Sequence, residues 1–275
     1  MGNILDQIVS DKRREVAEAK QRTPIEALKE QAASMDPPRN FFAAVTQDSP
    51  HINVIAEVKK ASPSAGLIRE DFDPVKIAQG YGTNGAVAIS CLTDSKYFQG
   101  DLAYLKMIKE HVTLPVLRKD FMIDPYQLYE ARAAGADAIL LIAECLSEGE
   151  FVDMLNLATE LKLTSLVEVH ETDSLLRVQP HIQISHADYT LLGINNRNLK
   201  EMKTDLNHTL RMLDLVENTK ILVSESGIRT HDDVERLRRA GVRSVLVGEH
   251  LMKQPDPGKA LEALIYGDAL NGDDR

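Results

Sequence analysis

From Asn53 onward the chain alternates between two textures. Short, almost continuously apolar runs recur at Asn53–Val58, Ala86–Leu92, Pro115–Leu117, Ala138–Ala143, Ser165–Val169, Leu191–Ile194, Ile221–Val223 and Ser244–Val247. Runs of this kind mark parallel strands covered on both faces, whereas a sheet with one wet face would alternate. Their starts lie 23 to 33 residues apart, the length of a strand plus a helix that returns to the sheet. The segments between them carry helix punctuation. Asp73-Pro74 and Asp124-Pro125 set a capping side chain before a proline at the first helical position. Ser147 with Glu150 spells a capping box, and Thr230 with Asp233 an acidic variant of it. Asn84-Gly85-Ala86, Ala134-Gly135-Ala136 and Ala240-Gly241-Val242 each place a glycine where a helix must stop before the next strand. Eight successive units predict an α/β fold, a single (β/α)8 (TIM) barrel, with a doubly wound open sheet as the second choice. The chain has no GxxxxGK[ST] motif, which tells against a P-loop nucleotide-binding version of that second choice.

Ahead of the first strand, Ile4 to Lys20 reads as an amphipathic helix with Ile4, Leu5, Ile8 and Val16 on its apolar side. Pro24, Pro37 and Pro38 then suggest a loop-rich approach to the barrel. Residues 1–50 are therefore expected to form an N-terminal helical extension capping one barrel domain that spans residues 1–275. The tail from Asn271 to Arg275 is expected to be disordered.

Composition narrows the classes of function. The 275 residues are 43% hydrophobic and carry a formal net charge of −10, so neither nucleic acid nor an anionic membrane is an expected partner. An anionic small molecule remains admissible, held by local cations and backbone N–H groups. Cys91 and Cys145 stand apart in apolar surroundings, outside any CxxC pattern. They read as reduced, buried and inert, which fits a cytoplasmic protein. The first residues lack the apolar core of a signal peptide, and no apolar run reaches the length of a membrane span. The eight histidines show no HxxxH or HExxH spacing, so no metal site is expected. A monomer or weak homo-oligomer is expected. The chain lacks a second barrel's worth of residues, so a second fused barrel is not expected.

In a barrel the C-terminal strand ends and the loops that follow them form the active site. Here those ends carry residues foreign to a core. The first strand closes on Glu57 and Lys59, two apart and so on one face. The third ends Arg118-Lys119-Asp120-Phe121, the fifth holds Glu168, the sixth ends Asn195-Asn196-Arg197 and the seventh Ser224-Glu225-Ser226-Gly227. Any one of these could be an interior ion pair or a rim charge. Buried pairs contribute little net stability, however, and five strands delivering Lys, Glu or Asn to one mouth point to catalysis. Asp120 could orient Lys119 or pair with Arg118. Gly227 and Gly248 stand after the seventh and eighth strands, where barrels often hold phosphate on backbone N–H groups. Ser62 could add a hydroxyl, and His250 lies near the same end.

These residues fall into motifs that resemble the indole-3-glycerol phosphate synthase family of tryptophan biosynthesis. The resemblance rests on Ile55-Ala56-Glu57-Val58-Lys59-Lys60-Ala61-Ser62-Pro63-Ser64, Ile68 to Pro74, Leu92-Thr93-Asp94 with Tyr97 to Gly100, Arg118 to Phe121, Leu166 to His170, Gly193 to Arg197 and Ser224 to Ile228. The ordered set covers most of residues 40 to 255. It implies a carboxy-lyase acting on 1-(2-carboxyphenylamino)-1-deoxyribulose 5-phosphate, a phosphosugar–anthranilate compound. The products would be indole-3-glycerol phosphate, carbon dioxide and water, formed without any cofactor. By position the resemblance makes Lys119 the general acid and Glu168 the general base. Lys59 would meet the substrate carboxylate or act as a second acid. Glu57, Asn195 and Glu225 would hold hydroxyls and orient the lysines. Ser62, Ser226, Gly227, Gly248 and the Glu249 backbone would take the phosphate, and Phe121 and Arg197 the anthranilate part. Ala61 stands where some members carry lysine, and Glu249-His250 replaces a pair of small residues. Two rival readings are a phosphosugar barrel aldolase using a Schiff-base lysine and a non-catalytic sensor of a phosphate ligand.

Overall fold

A computed structural model describes residues 4–184, 188–198 and 203–267. Eight strands close into a barrel: β1 Asn53–Val58, β2 Ala86–Leu92, β3 Val116–Lys119, β4 Ala138–Ile142, β5 Thr164–Val169, β6 Thr190–Asn195, β7 Leu222–Glu225 and β8 Ser244–Val247. All neighbours run parallel, and β1 seals the ring by pairing with both β8 and β2. The expected strands are present in order. The apolar reading stopped short on β3, β6 and β7, because charged and amide residues continue the ladder: Lys119 pairs with Leu92, and Asn195 with Glu225. The residues foreign to a core therefore sit on the strands themselves, a more rigid platform than the loops beyond.

The larger return helices are α4 Pro74–Thr83, α6 Leu102–His111, α7 Pro125–Ala133, α8 Glu148–Glu160, α9 Thr172–Ile184, α11 His231–Arg239 and α13 Pro257–Tyr266. Short turns α5 Ser95–Phe98, α10 Asn207–Met212 and α12 Glu249–Met252 lie between them. The proposed caps form. Asp73 and Asp124 accept backbone N–H groups ahead of their prolines, and Ser147/Glu150 and Thr230/Asp233 make reciprocal capping boxes. Gly85, Gly135 and Gly241 all take left-handed φ, as the three helix stops require.

The approach to the barrel is more helical than its prolines suggest. Beyond α1 (Ile4–Arg22) lie α2 (Ile25–Ser34) and α3 (Phe41–Thr46). Pro24 occupies the N-cap of α2 and so starts that helix, and Asn40 caps α3 by accepting from Ala43 N at 2.8 Å. The extension reaches both ends of the barrel. At the N-terminal end, Asn53 and Ser244 side chains donate to the Val45 carbonyl of α3. At the other end, Lys12 of α1 is 2% exposed and pairs at 2.9 Å with Asp94 and Asp120, which follow β2 and β3. The tail Asn271–Arg275 lies outside the described residues. Cys91 is buried as expected, Cys145 only partly, and burial raises both thiols well above their ordinary pKa. Among the described residues no helix is long and apolar enough to cross a membrane.

Candidate active site

A cavity of about 360 Å³ opens at the C-terminal ends of the strands. Glu57, Lys59, Lys119, Glu168, Asn195 and Glu225 all line it, together with Phe121, Arg197, Ser226, Gly227, Gly248 and Glu249. Strand pleat explains the sorting at each end. Lys119 projects inward, while its neighbour Arg118 turns outward, to the Gln127 carbonyl and the Glu130 carboxylate on α7, and Asp120 at the cavity edge directs its carboxylate to other partners. Asp120 therefore does not orient Lys119. It takes Arg118 at 3.2 Å, Lys12 at 2.9 Å and the Thr93 hydroxyl at 2.7 Å. Asn195 and Asn196 divide in the same way. Asn195 Nδ2 donates to Glu168 at 3.1 Å, whereas buried Asn196 donates to Ser224 Oγ and to the Ser226 carbonyl, bracing the loop after β7.

Two ion clusters meet in the mouth. Lys59 Nζ lies 2.5 Å from Glu57, and Lys119 Nζ lies 2.9 Å from Glu168 and 3.1 Å from Glu225. Burial pulls the Lys119 pKa down, but the carboxylates of Glu168, Glu225 and Glu57 outweigh it, so the ammonium form is held firmly. The sequence left that direction open; the carboxylates decide it. Burial pushes Glu168 up, yet Lys119 and His170 hold it well below the usual carboxylate range. Glu225 goes the other way, raised by complete burial and by Glu168 beside it. Glu225 meets the Lys119 ammonium at 3.1 Å and lies against the Glu168 carboxyl.

Space is reserved for these carboxylates. A Cβ on Gly193 would come within 2.2 Å of Glu225 Oε1, and one on Gly248 within 2.3 Å of Glu57 Oε1. Gly248 is thus demanded by Glu57, whatever it does for a phosphate. Gly227 is different, because its φ of +83°, next to Ser226 at +69°, lies in the left-handed region that side chains rarely adopt. Ser62 lies outside the cavity lining, in a small hairpin of residues 61–62 and 66–67, where its hydroxyl accepts from Ala65 N. Its neighbour Ser64 instead accepts from Arg197 Nη1 at 2.9 Å. Arg197 also takes Glu249 at 2.8 Å, so the Glu249 carboxylate is drawn to Arg197 and Lys253. Phe121 faces Phe98 across 6.1 Å between ring centres, forming an apolar wall.

Residues 5–264 match the family described as indole-3-glycerol phosphate synthase. The chain belongs to that family. A member from Rhodopirellula baltica is 45% identical over 95% of this chain and 98% of its own. One from Acidithiobacillus ferrooxidans is 47% identical over 97% of this chain and all of its own length. Among solved structures, thiamine phosphate pyrophosphorylase from Pyrococcus furiosus superposes with a TM-score of 0.56 at 16% identity, over 78% of this chain and 93% of that one. 3-Hexulose-6-phosphate synthase from Salmonella typhimurium does so with 0.55 at 14%, over 78% and 96%. At such identities these two speak for the barrel alone.

Of the side chains expected from sequence, the cavity gathers all but Ser62. It also gathers some that sequence reasoning passed over: Phe98 on α5, Thr204, Arg229 and Lys253. These lie beyond the strands, where no periodicity marks them. Only Phe98 falls in a stretch that the sequence marks, Tyr97 to Gly100.

Proposed function

We propose that this protein closes the indole ring. It would convert 1-(2-carboxyphenylamino)-1-deoxyribulose 5-phosphate to indole-3-glycerol phosphate with loss of carbon dioxide and water, as a carboxy-lyase of the cytoplasm. The observation that carries this reading is Lys119 between Glu168 and Glu225, a charged acid beside a charged base in one cavity. Ring closure needs a proton delivered to the ketone oxygen as the aromatic carbon attacks. Lys119 is held protonated for that step. Loss of carbon dioxide restores the aromatic ring, and the dehydration that follows needs a proton acceptor; Glu168 is held ionised for it. Lys59 meets the departing carboxylate, where a cation stabilises charge until carbon dioxide leaves. Glu57, Asn195 and Glu225 hold the sugar hydroxyls and the lysines. The backbone at Ser226, Gly227, Gly248 and Glu249 takes the phosphate, and Phe121 lies along the anthranilate ring with Arg197 at its edge. The substrate supplies its own leaving groups, so no redox or carbanion cofactor is called for.

A Schiff-base aldolase reading is disfavoured by the same geometry. Imine formation needs a neutral amine, and three carboxylates around Lys119 favour its charged form. The protein contains no tryptophan, so indole fluorescence of the product can be followed against a dark background. Purified protein mixed with the substrate, without added metal, is expected to give a catalytic rise in that signal. Lys119→Ala should lower the rate by about 100-fold or more. A flat trace from folded protein, or near-normal turnover by the variant, would remove this assignment.

A further inference from the structure

Next to Glu168 but outside the cavity lining stands a carboxylate–imidazole pair that the reaction above does not use. His170 follows β5 by one residue, and its side chain is 7% exposed. Glu144, in the turn after β4, accepts from the His170 backbone N–H at 2.9 Å and faces the ring Nδ1 at 3.2 Å. On the other side of the ring, Nε2 is buried and has no hydrogen-bond partner among the described residues; it lies 3.3 Å from Glu168 Oε1. Asn195 donates to that same oxygen, while Lys119 takes Oε2. The four groups form a row: Glu144, His170, Glu168, Lys119.

The charged and titratable groups around His170 come from several elements. Glu144 approaches from the turn after β4, Glu168 from β5 itself and Lys119 from β3. His208 of α10 meets the His170 carbonyl at 3.0 Å through its Nε2. A carboxylate at each ring nitrogen favours a donor at both, which is the imidazolium. Burial opposes that charge, but the carboxylates prevail and the His170 pKa rises.

We propose that His170, oriented by Glu144, is a positioning residue for Glu168, fixing its Oε1 edge and supplying the positive charge that Glu168 loses when Lys119 gives up its proton. The inference rests on the assignment of Lys119 and Glu168 made above. When the proton passes from Lys119 Nζ to the substrate oxygen, the neutral amine no longer balances the buried carboxylate. A second cation on the opposite edge keeps Glu168 ionised, so that it remains a base for the later proton abstraction.

The test is the pH dependence of kcat and KM for His170→Gln and Glu144→Gln with the carboxyphenylamino-deoxyribulose phosphate. In His170→Gln, kcat should fall about tenfold with KM within about twofold. The acidic limb of the kcat profile should move to higher pH, because Glu168 has lost a cation. Glu144→Gln should move both in the same direction by less. A lowered kcat with an unmoved limb would mean packing alone and would overturn the proposal, as would no change in either variant. If His170→Gln does not fold, Glu144→Gln decides by the same criteria. If the wild-type protein gives no turnover, the assigned reaction falls instead. The pairing is then judged by carbon NMR titration of the Glu168 carboxyl in wild type against Glu144→Gln, and an unmoved titration would overturn it.

Discussion

Two buried ionic clusters lie within a few residues of each other at the strand ends, and they are built on opposite plans. The outer one joins Lys12 of α1 to Asp94 and Asp120, and Asp120 to Arg118, with Glu15 and Glu130 reaching in from the solvent side. Its two buried cations match its two buried acids, and each acid accepts further hydrogen bonds, from Tyr97 N or the Thr93 hydroxyl. The inner one sets three carboxyl groups against two lysines and crowds Glu225 against Glu168. Saturated charges hold elements together. Under-saturated charges facing a cavity are ready to exchange partners with a ligand. The difference separates the fastening of α1 from the chemistry of the mouth, although both are made of Lys, Asp and Glu.

The contrast can be broken at three points, in falling order of effect. Lys12→Met leaves Asp94 and Asp120 buried without their cation, and should cost about 3–5 kcal/mol of stability. Thermal or urea unfolding measures it, and a loss below about 1 kcal/mol would show that the outer cluster does not fasten α1. Acid comes next. Burial works to raise the Asp120 pKa, but Lys12 and Arg118 hold it at about 2 in the folded chain. A depressed carboxyl contributes stability that is complete above its unfolded pKa of about 3.9 and is lost as pH falls through the folded value, here about 2 kcal/mol. Urea midpoints followed down that range in wild type should show the loss, and Asp120→Asn should flatten it.

Glu225→Gln has the smallest effect on folding and the opposite sign. Its raised pKa means that the folded chain binds this proton more tightly than the unfolded one. That contribution is complete below the unfolded carboxyl pKa and is lost as pH rises from there through the folded value of about 8, so at neutral pH the protonated Glu225 already costs stability. The amide should leave the unfolding midpoint unchanged or raise it by about 1 kcal/mol, while lowering turnover about tenfold. A clear loss of stability would place Glu225 with the fastening cluster.

Much of this was legible beforehand because the barrel repeats itself. Eight apolar runs, paired Asp-Pro caps and three glycine stops each encode a local rule, and each strand end advertised its polar residue by interrupting a core pattern. Alternation alone correctly put Glu57 with Lys59. What stayed hidden depends on through-space partners. Nothing near Lys12 in the sequence says that it will cross to Asp94 and Asp120, and nothing near Asp120 says that it turns away from Lys119. The prolines before β1 were misleading because proline begins helices as readily as it prevents them. Ser62 drew attention through its motif, yet it is Ser64 that reaches Arg197.

The glycines facing Glu57 and Glu225 have one more consequence. Gly248 and Gly193 leave the hollows that those carboxylates fill, so each glycine and its glutamate form one unit of inheritance. A lineage that gains a side chain at position 248 must shorten or move the acid at 57, because the new atom would meet that residue's Cβ as well as its carboxyl, whereas at 193 only the tip of Glu225 has to swing aside. Divergence at 248 and 57 is therefore expected to be tied more tightly than at 193 and 225.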